Sequence, residues 1–146
     1  MYRGGQPVGS ALIGQNFTAA QYFHGRPSAA GNSYDAASSA GSNLGPTSKT
    51  LLSNIAERAA KVRKENNLEK DTPVPSDLVT ASASGLDPDI SPKAALLQVS
   101  RVSKARNLQE SEVREMVEHY TEIRQLGIWG EPRVNLLKLN MALDKL

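Results

Sequence analysis

Two histidines, one pair of aspartates and one glycine-rich loop are the places where this chain could do chemistry. His24 stands in "QYFHGRP", and with Asp35 or a nearby serine it could serve a hydrolase as general base; the alternative is an ordinary packed histidine. His119 has Glu115 four residues before it and Glu122 three after, so a helix would put all three on one face. That set could bind zinc, but a solvated face with i, i+4 pairing is the simpler reading. Asp87 and Asp89, in "SGLDPDISP", could work as an acid–base pair or attract a cation. Both lie just ahead of a predicted helix N-terminus, which favours the ionised form and opposes proton donation, so a structural turn is the better reading. Ala40–Lys49, "AGSNLGPTSK", is a glycine-rich loop entering a helix, the setting for phosphate binding. The Walker pattern needs Gly-Lys-Ser/Thr; here Gly45 is followed by Pro46-Thr47, and Pro46 removes an amide donor. No Gly-x-Ser-x-Gly elbow occurs, and without cysteine there is no thiol nucleophile, thiolate metal site or disulfide.

The 146 residues suit one domain with a modest core. Aromatics make up only 5%, so that core must be aliphatic and alanine-rich. Seventeen Lys and Arg against fifteen Asp and Glu leave a net charge of +2. The pI of about 9.0 overstates how basic the surface is. No dense basic stripe marks a nucleic-acid binder; Lys61-Val62-Arg63-Lys64 falls at the end of a predicted helix, where it complements the dipole. No run of about 18 apolar residues is present, and "MYRGGQPVGS" does not read as a signal peptide.

Helices and short strands must position these residues. Short apolar runs between glycines predict a strand over Val8–Ile13, and "QYFHGRP" reads as a second extended piece ending in a turn. Residues 28–46 are small and polar, a composition that goes with disorder or with a loop pinned by Tyr34 and Leu44. A first helix begins near Thr47 or Ser48, buries Leu51, Leu52, Ile55, Ala59 and Val62, and ends at Asn66-Asn67. Pro73 and Pro75 forbid helix, and Leu78–Ser82 reads as a strand. Ser91 caps a second helix with Pro92 at its first position and Ile90 stapled on Ala95; Asn107 closes it in the left-handed conformation. A third helix runs from about Gln109 to Leu126 on the stripe Val113, Met116, Val117, Tyr120, Ile123, and Gly127 stops it. Alternation over Val134–Lys138 predicts a strand, with Asn140 capping a last short helix. The expectation is a small single-domain α+β sandwich over residues 1–146: a short, mostly antiparallel sheet, about three helices and a loop-rich N-terminal part.

Five stretches in order, "VGSALIGQNF", "YFHGRPSA", "YD…SNLGP", "LVTASASGLDPDISP" and "GEPRVNLLKLNMAL", resemble the KdpC subunit family of bacterial potassium-transporting P-type ATPases. The resemblance runs from Gly5 to Leu143. Ala40 stands where that family often has glycine, Ser100 where it often has proline, and Trp129 where a smaller aliphatic is usual. Family members usually carry an N-terminal transmembrane helix, so the chain is expected to be the soluble part of a longer subunit. The resemblance implies a non-catalytic accessory subunit of the cell (inner) membrane, its soluble domain outside the cytoplasm. Its partners would be the channel subunit KdpA, the ATP-hydrolysing pump subunit KdpB and the small KdpF. It implies no directly bound cofactor; the complex uses ATP and potassium. The family is described as a catalytic chaperone raising the pump's ATP affinity. A domain outside the membrane cannot touch a cytoplasmic nucleotide, so such an effect would act through coupled conformations. Nucleotide binding by the domain itself is the alternative. Candidate partner or nucleotide contacts are Gln15, Asn16, Phe17, Tyr22, His24, Arg26, Ser42 and Asn43. Asp87 and Asp89 are candidate ion-attracting acids at a channel entrance.

Overall fold

The computed structural model describes residues 1–146. Four helices form: α1 (Lys49–Glu65), α2 (Pro92–Arg106), α3 (Glu110–His119) and α4 (Leu136–Leu143). Five strands of two or three residues accompany them: β1 (Tyr2–Arg3), β2 (Gln6–Pro7), β3 (Asp89–Ile90), β4 (Thr121–Glu122) and β5 (Arg133–Asn135). β1 and β2 make a small hairpin, while β3, β5 and β4 form an antiparallel sheet with β5 central. This is an α+β domain. Its core joins Val99 and Val102 of α2, Val113 and Val117 of α3, Leu139 and Leu143 of α4, Val134 of β5 and Phe23 of the N-terminal segment.

The helix ends follow their capping residues. Ser48 Oγ accepts from Leu51 N–H at the start of α1, and Ser91 Oγ from Ala94 N–H at the start of α2, with Pro92 at the first helical position. Asn107 ends α2 at φ 57°, and Leu108 N–H returns to Ser103 C=O. Gln109 and Glu112 close a reciprocal capping box on α3.

Several expectations fail, each because identifiable partners claim the groups involved. Val8–Ile13 is not a strand. Side chains take its carbonyls instead: Gln15 Nε2 donates to Val8 C=O at 2.7 Å and Asn135 Nδ2 to Ala11 C=O at 2.8 Å. Leu78–Ser82 is not a strand either. A 3₁₀ turn at Ser76–Leu78 leads into Thr80, which bonds back to Ser76 C=O through both N–H and Oγ1. α3 stops at His119 because Thr121 and Glu122 leave to pair with Val134 and Arg133, so Ile123 is exposed rather than part of the stripe. The strand over Val134–Lys138 survives only to Asn135. That residue's side chain caps α4, whose Leu136, Leu139, Asn140 and Leu143 follow helical spacing. Asn140 therefore lies inside a fourth helix and caps nothing. No residue of α1 is fully buried; Leu52 of its predicted apolar face is largely exposed.

Candidate functional site

The N-terminal segment from Gln15 to Tyr34 is a strap laid across α2 and α4 without joining any sheet. Its backbone polar groups still need partners once buried, and two side-chain amides supply them. Asn140 of α4 accepts from Phe23 N–H at 2.9 Å and donates to Phe23 C=O at 3.0 Å. Gln98 of α2 does the same for His24, at 2.8 and 3.1 Å. Both amides are about 1% exposed, so each stands in for a neighbouring strand at one residue. Two arginines fasten the strap's other carbonyls. Arg101 reaches Ala20 and Tyr22 C=O and donates to Gln98 Oε1 at 2.6 Å; Arg106 donates to Gln21 C=O at 2.7 Å. Arg106 also pairs with Asp144 at 2.7 Å and covers the Tyr22 ring at 5.1 Å, while Tyr22 Oη donates to Asp144. Burial acts to raise the Asp144 carboxyl, but hydrogen bonds from Arg106 and Tyr22 prevail and hold it below the usual carboxylate range.

Beyond the clamp the strap turns back on itself around Tyr34. Ser28 Oγ accepts from the N–H groups of Ala30 and Tyr34 and donates to Gly85 C=O; Tyr34 Oη donates to Arg26 C=O at 2.7 Å. Burial, reinforced by the Asp87 charge, pushes the Tyr34 phenol up to about 12. Tyr34 therefore pins its part of the loop, while Leu44, the second expected pin, is half-buried. Gly14 is required here: a Cβ on it would lie 2.3 Å from the Tyr34 ring and 2.7 Å from Asp87 C=O.

Between this strap and α1 lies a cleft of about 230 Å³. Its walls include Gln15, Asn16, Phe17, His24 and Arg26, five of the residues singled out in the sequence, with Tyr34, Arg58, Lys61 and Glu65. His24 Nε2 lies 3.1 Å from Ala19 C=O, so this nitrogen carries the proton; Nδ1 faces Glu65 at 3.6 Å. Burial first, then Arg101, lower the His24 pKa below 6.5, so its neutral form is favoured. The histidine does not pair with Asp35, which caps a 3₁₀ turn at Ala36–Ser38 through a bond from Ala37 N–H. Tyr22 lies outside the cleft, in a neighbouring depression shared with Phe17 and Gln15. Ser42 and Asn43 also lie apart from it, on a loop that hydrogen-bonds to Ser84 C=O through Ala40 N–H and Ser39 Oγ.

Asp87 and Asp89 line a separate, wider groove of about 650 Å³ that shares Arg26 with the cleft. Arg26 Nη1 pairs with Asp87 at 3.0 Å, while its buried Nε has no hydrogen-bond partner. Asp87 Oδ1 accepts from Asp89 N–H, the local turn expected of this motif. Asp89 meets Arg133 at 3.2 Å and Asn135 Nδ2 at 2.9 Å; burial nonetheless raises its pKa. Four acids (Asp77, Asp87, Asp89, Glu131) face three bases (Arg26, Lys93, Arg133) in this groove. The zinc set on α3 does not converge: Glu122 lies in β4 and bonds Lys138 and Arg133, both at 2.8 Å.

The residues missing from the sequence-level site are Gln98, Asn140, Arg101 and Arg106. The first two carried a signal: each is a polar residue placed by helical spacing on a buried stripe, Gln98 with Ala94, Val99 and Val102, and Asn140 with Leu136 and Leu143. The arginines carried none, because their partners are carbonyls about 80 positions away.

A family model described as "K+-transporting ATPase, c chain" matches residues 1–145. The chain is 58% identical over 144 residues to the "Potassium-transporting ATPase KdpC subunit" of Mycobacterium tuberculosis H37Rv, covering 99% of this chain and 76% of that protein. A subunit of the same description from Gemmatimonas aurantiaca is 58% identical over 145 residues, covering 99% and 72%. Another from Nitratidesulfovibrio vulgaris is 57% identical over 143 residues, covering 97% and 72%.

Proposed function

Because this chain belongs to the KdpC family, the c chain of K+-transporting ATPases, we propose that it is a non-catalytic accessory subunit that docks on the other subunits of the potassium-uptake complex. The observation that carries this reading is how the reactive side chains are employed. His24, Arg26, Tyr34, Asp87 and Asp89 each hold a backbone group or an opposite charge in place. Tied down in this way, they form a preorganised surface, which lowers the ordering cost of binding a partner.

The docking face is the strap and its cleft, where Gln15, Asn16 and Phe17 adjoin Arg58 and Lys61 of α1. Its partner is the channel subunit KdpA, capped on the ion-entrance side, with KdpB and KdpF completing the complex. The domain lies outside the cytoplasm at the cell membrane, and it raises the ATP affinity of KdpB through coupled conformations. With acids and bases nearly cancelling around Asp87 and Asp89, the contribution at the entrance is steric and structural rather than cation attraction. A nucleotide-binding regulator is favoured by one feature, the three cations Arg26, Arg58 and Lys61 in the cleft. At about 230 Å³ the cleft is smaller than the usual ligand pocket of about 300–1,000 Å³, which weighs against it.

The test is reconstitution of the complex with Lys61→Glu, alone and combined with Asn16→Ala. Reduced co-purification with KdpA and reduced potassium-stimulated ATP hydrolysis are expected, with the variant chain folded as the parent. Full assembly and activity with the double variant would remove the cleft from the interface. Titration of the chain with millimolar ATP in a calorimeter separates the alternative: saturable heat would favour direct nucleotide binding. Turnover by the chain alone, lost in His24→Ala, would overthrow the non-catalytic assignment.

A further inference from the structure

The turn joining β4 to β5 exposes four large apolar side chains within seven positions. Ile123 is 76% exposed, Leu126 89%, Ile128 74% and Trp129 68%. The turn is built rather than loose. Gln125 and Trp129 exchange backbone hydrogen bonds at 2.9 Å in both directions, and Gly127 N–H returns to Arg124 C=O. Across its base, Arg124 Nη2 bonds both carboxylate oxygens of Glu131 at 2.7 and 2.8 Å. The flanking strands are braced by Glu122, which bonds Arg133 and Lys138.

Leu126 has φ 53°, in the left-handed region where Asn or Gly is the usual occupant and a bulky side chain is an outlier. A strained leucine that buries nothing inside its own fold points to a contact outside it.

We propose that this turn is an apolar foot that seats Leu126, Ile128 and Trp129 in the interfacial layer of a lipid bilayer. Two observations select lipid over a protein groove. The turn's ionised groups cancel, Arg124 against Glu131, so it presents no charge pattern for a partner to read. A tryptophan beside two aliphatics on a convex tip also matches the interfacial layer, where an indole keeps its ring in apolar surroundings and its N–H near water. The foot rests on the family assignment only for its setting, a membrane-associated complex, and it is tested without the other subunits, so its failure leaves that assignment standing.

Trp129 is the single tryptophan of the chain, so its fluorescence reports on the foot without a label. The chain is titrated with vesicles of pure phosphatidylcholine, with and without brominated acyl chains. A blue shift and bromine quenching of Trp129 are expected at millimolar lipid. The Leu126→Ser/Ile128→Ser variant should need at least tenfold more lipid for the same shift, with unchanged far-UV circular dichroism. An emission spectrum indifferent to millimolar phosphatidylcholine overturns the proposal. So does a shift confined to anionic vesicles and abolished by salt, which would mark electrostatic adsorption by other residues. Shielding of Trp129 that requires the remaining subunits and is absent with vesicles would assign the turn to a protein contact instead.

Discussion

Replacing Asn140 with leucine keeps the number and branching of side-chain heavy atoms and removes both hydrogen bonds that hold Phe23. Asn140 and Phe23 are each at most about 1% exposed, so water cannot replace the amide without local opening. The variant leaves Phe23 N–H and Phe23 C=O buried and unpartnered. Each orphaned group costs about 1–3 kcal/mol, or about 2–6 kcal/mol for the two. A domain of this length has roughly 7–20 kcal/mol of total stability, so a loss near the middle of that range, about 4 kcal/mol, is severe without abolishing folding. With a urea m-value of about 2 kcal/mol/M, the unfolding midpoint falls by about 2 M. If the strap instead peels off α4 to hydrate Phe23, the midpoint moves less, but the Phe23 and His24 amides lose protection together. Urea unfolding followed by circular dichroism, combined with amide hydrogen exchange, reads both outcomes. A midpoint within about 0.3 M of the parent, with the Phe23 amide still protected, would refute the claim that side-chain amides substitute for a strand here.

Three further outcomes follow from the same geometry. Spectroscopic titration should find one tyrosine ionising only near pH 12, and Tyr34→Phe should remove that step, because burial opposes a phenolate at this site. Gly14→Ala should lower stability by about 3 kcal/mol in thermal or urea unfolding. Gly14 N–H is tied to Leu86 C=O at 2.8 Å and cannot retreat from the Tyr34 ring, whereas Gly45→Ala, with nothing within 4 Å of its added carbon, should be close to neutral. Because burial lowers the His24 pKa below 6.5, the unfolded chain takes up that proton first. His24's contribution is then present above about pH 6.5 and is lost progressively as pH falls toward the folded-state value. His24→Gln should flatten this part of the stability–pH profile; an unchanged slope would show that another group carries it.

Local signals in the chain were legible wherever one side chain serves its own neighbourhood. Ser91 before Pro92 marked the start of α2, and Asn107 marked its end, because caps act within four residues. The Asp87 turn was legible for the same reason, since its side chain bonds the amide two positions on. Errors gathered where a distant partner overrode local pattern. Val134–Lys138 alternates like a strand, yet Asn135 is claimed by a cap and by Ala11 C=O, 124 positions away. Thr121 and Glu122 fall within the span whose apolar stripe predicts a helix as far as Leu126, yet β5 offers them ladder bonds. Of the candidate site, Gln15, Asn16, Phe17, His24 and Arg26 do meet in one cleft, whereas Tyr22, Ser42 and Asn43 face elsewhere. Adjacency in sequence says nothing about which side of a strap each residue takes.

By itself the sequence determined an aliphatic core, the capped ends of α1 and α2, and the family to which the chain belongs, since all three are written in residue type and short spacing. Only the tertiary structure decided that the strap is clamped by Gln98, Asn140, Arg101 and Arg106, and that Trp129 stands out on a braced turn. Those facts depend on pairing groups up to 117 residues apart. A backbone donor or acceptor carries no mark of its partner until burial has removed water as the alternative.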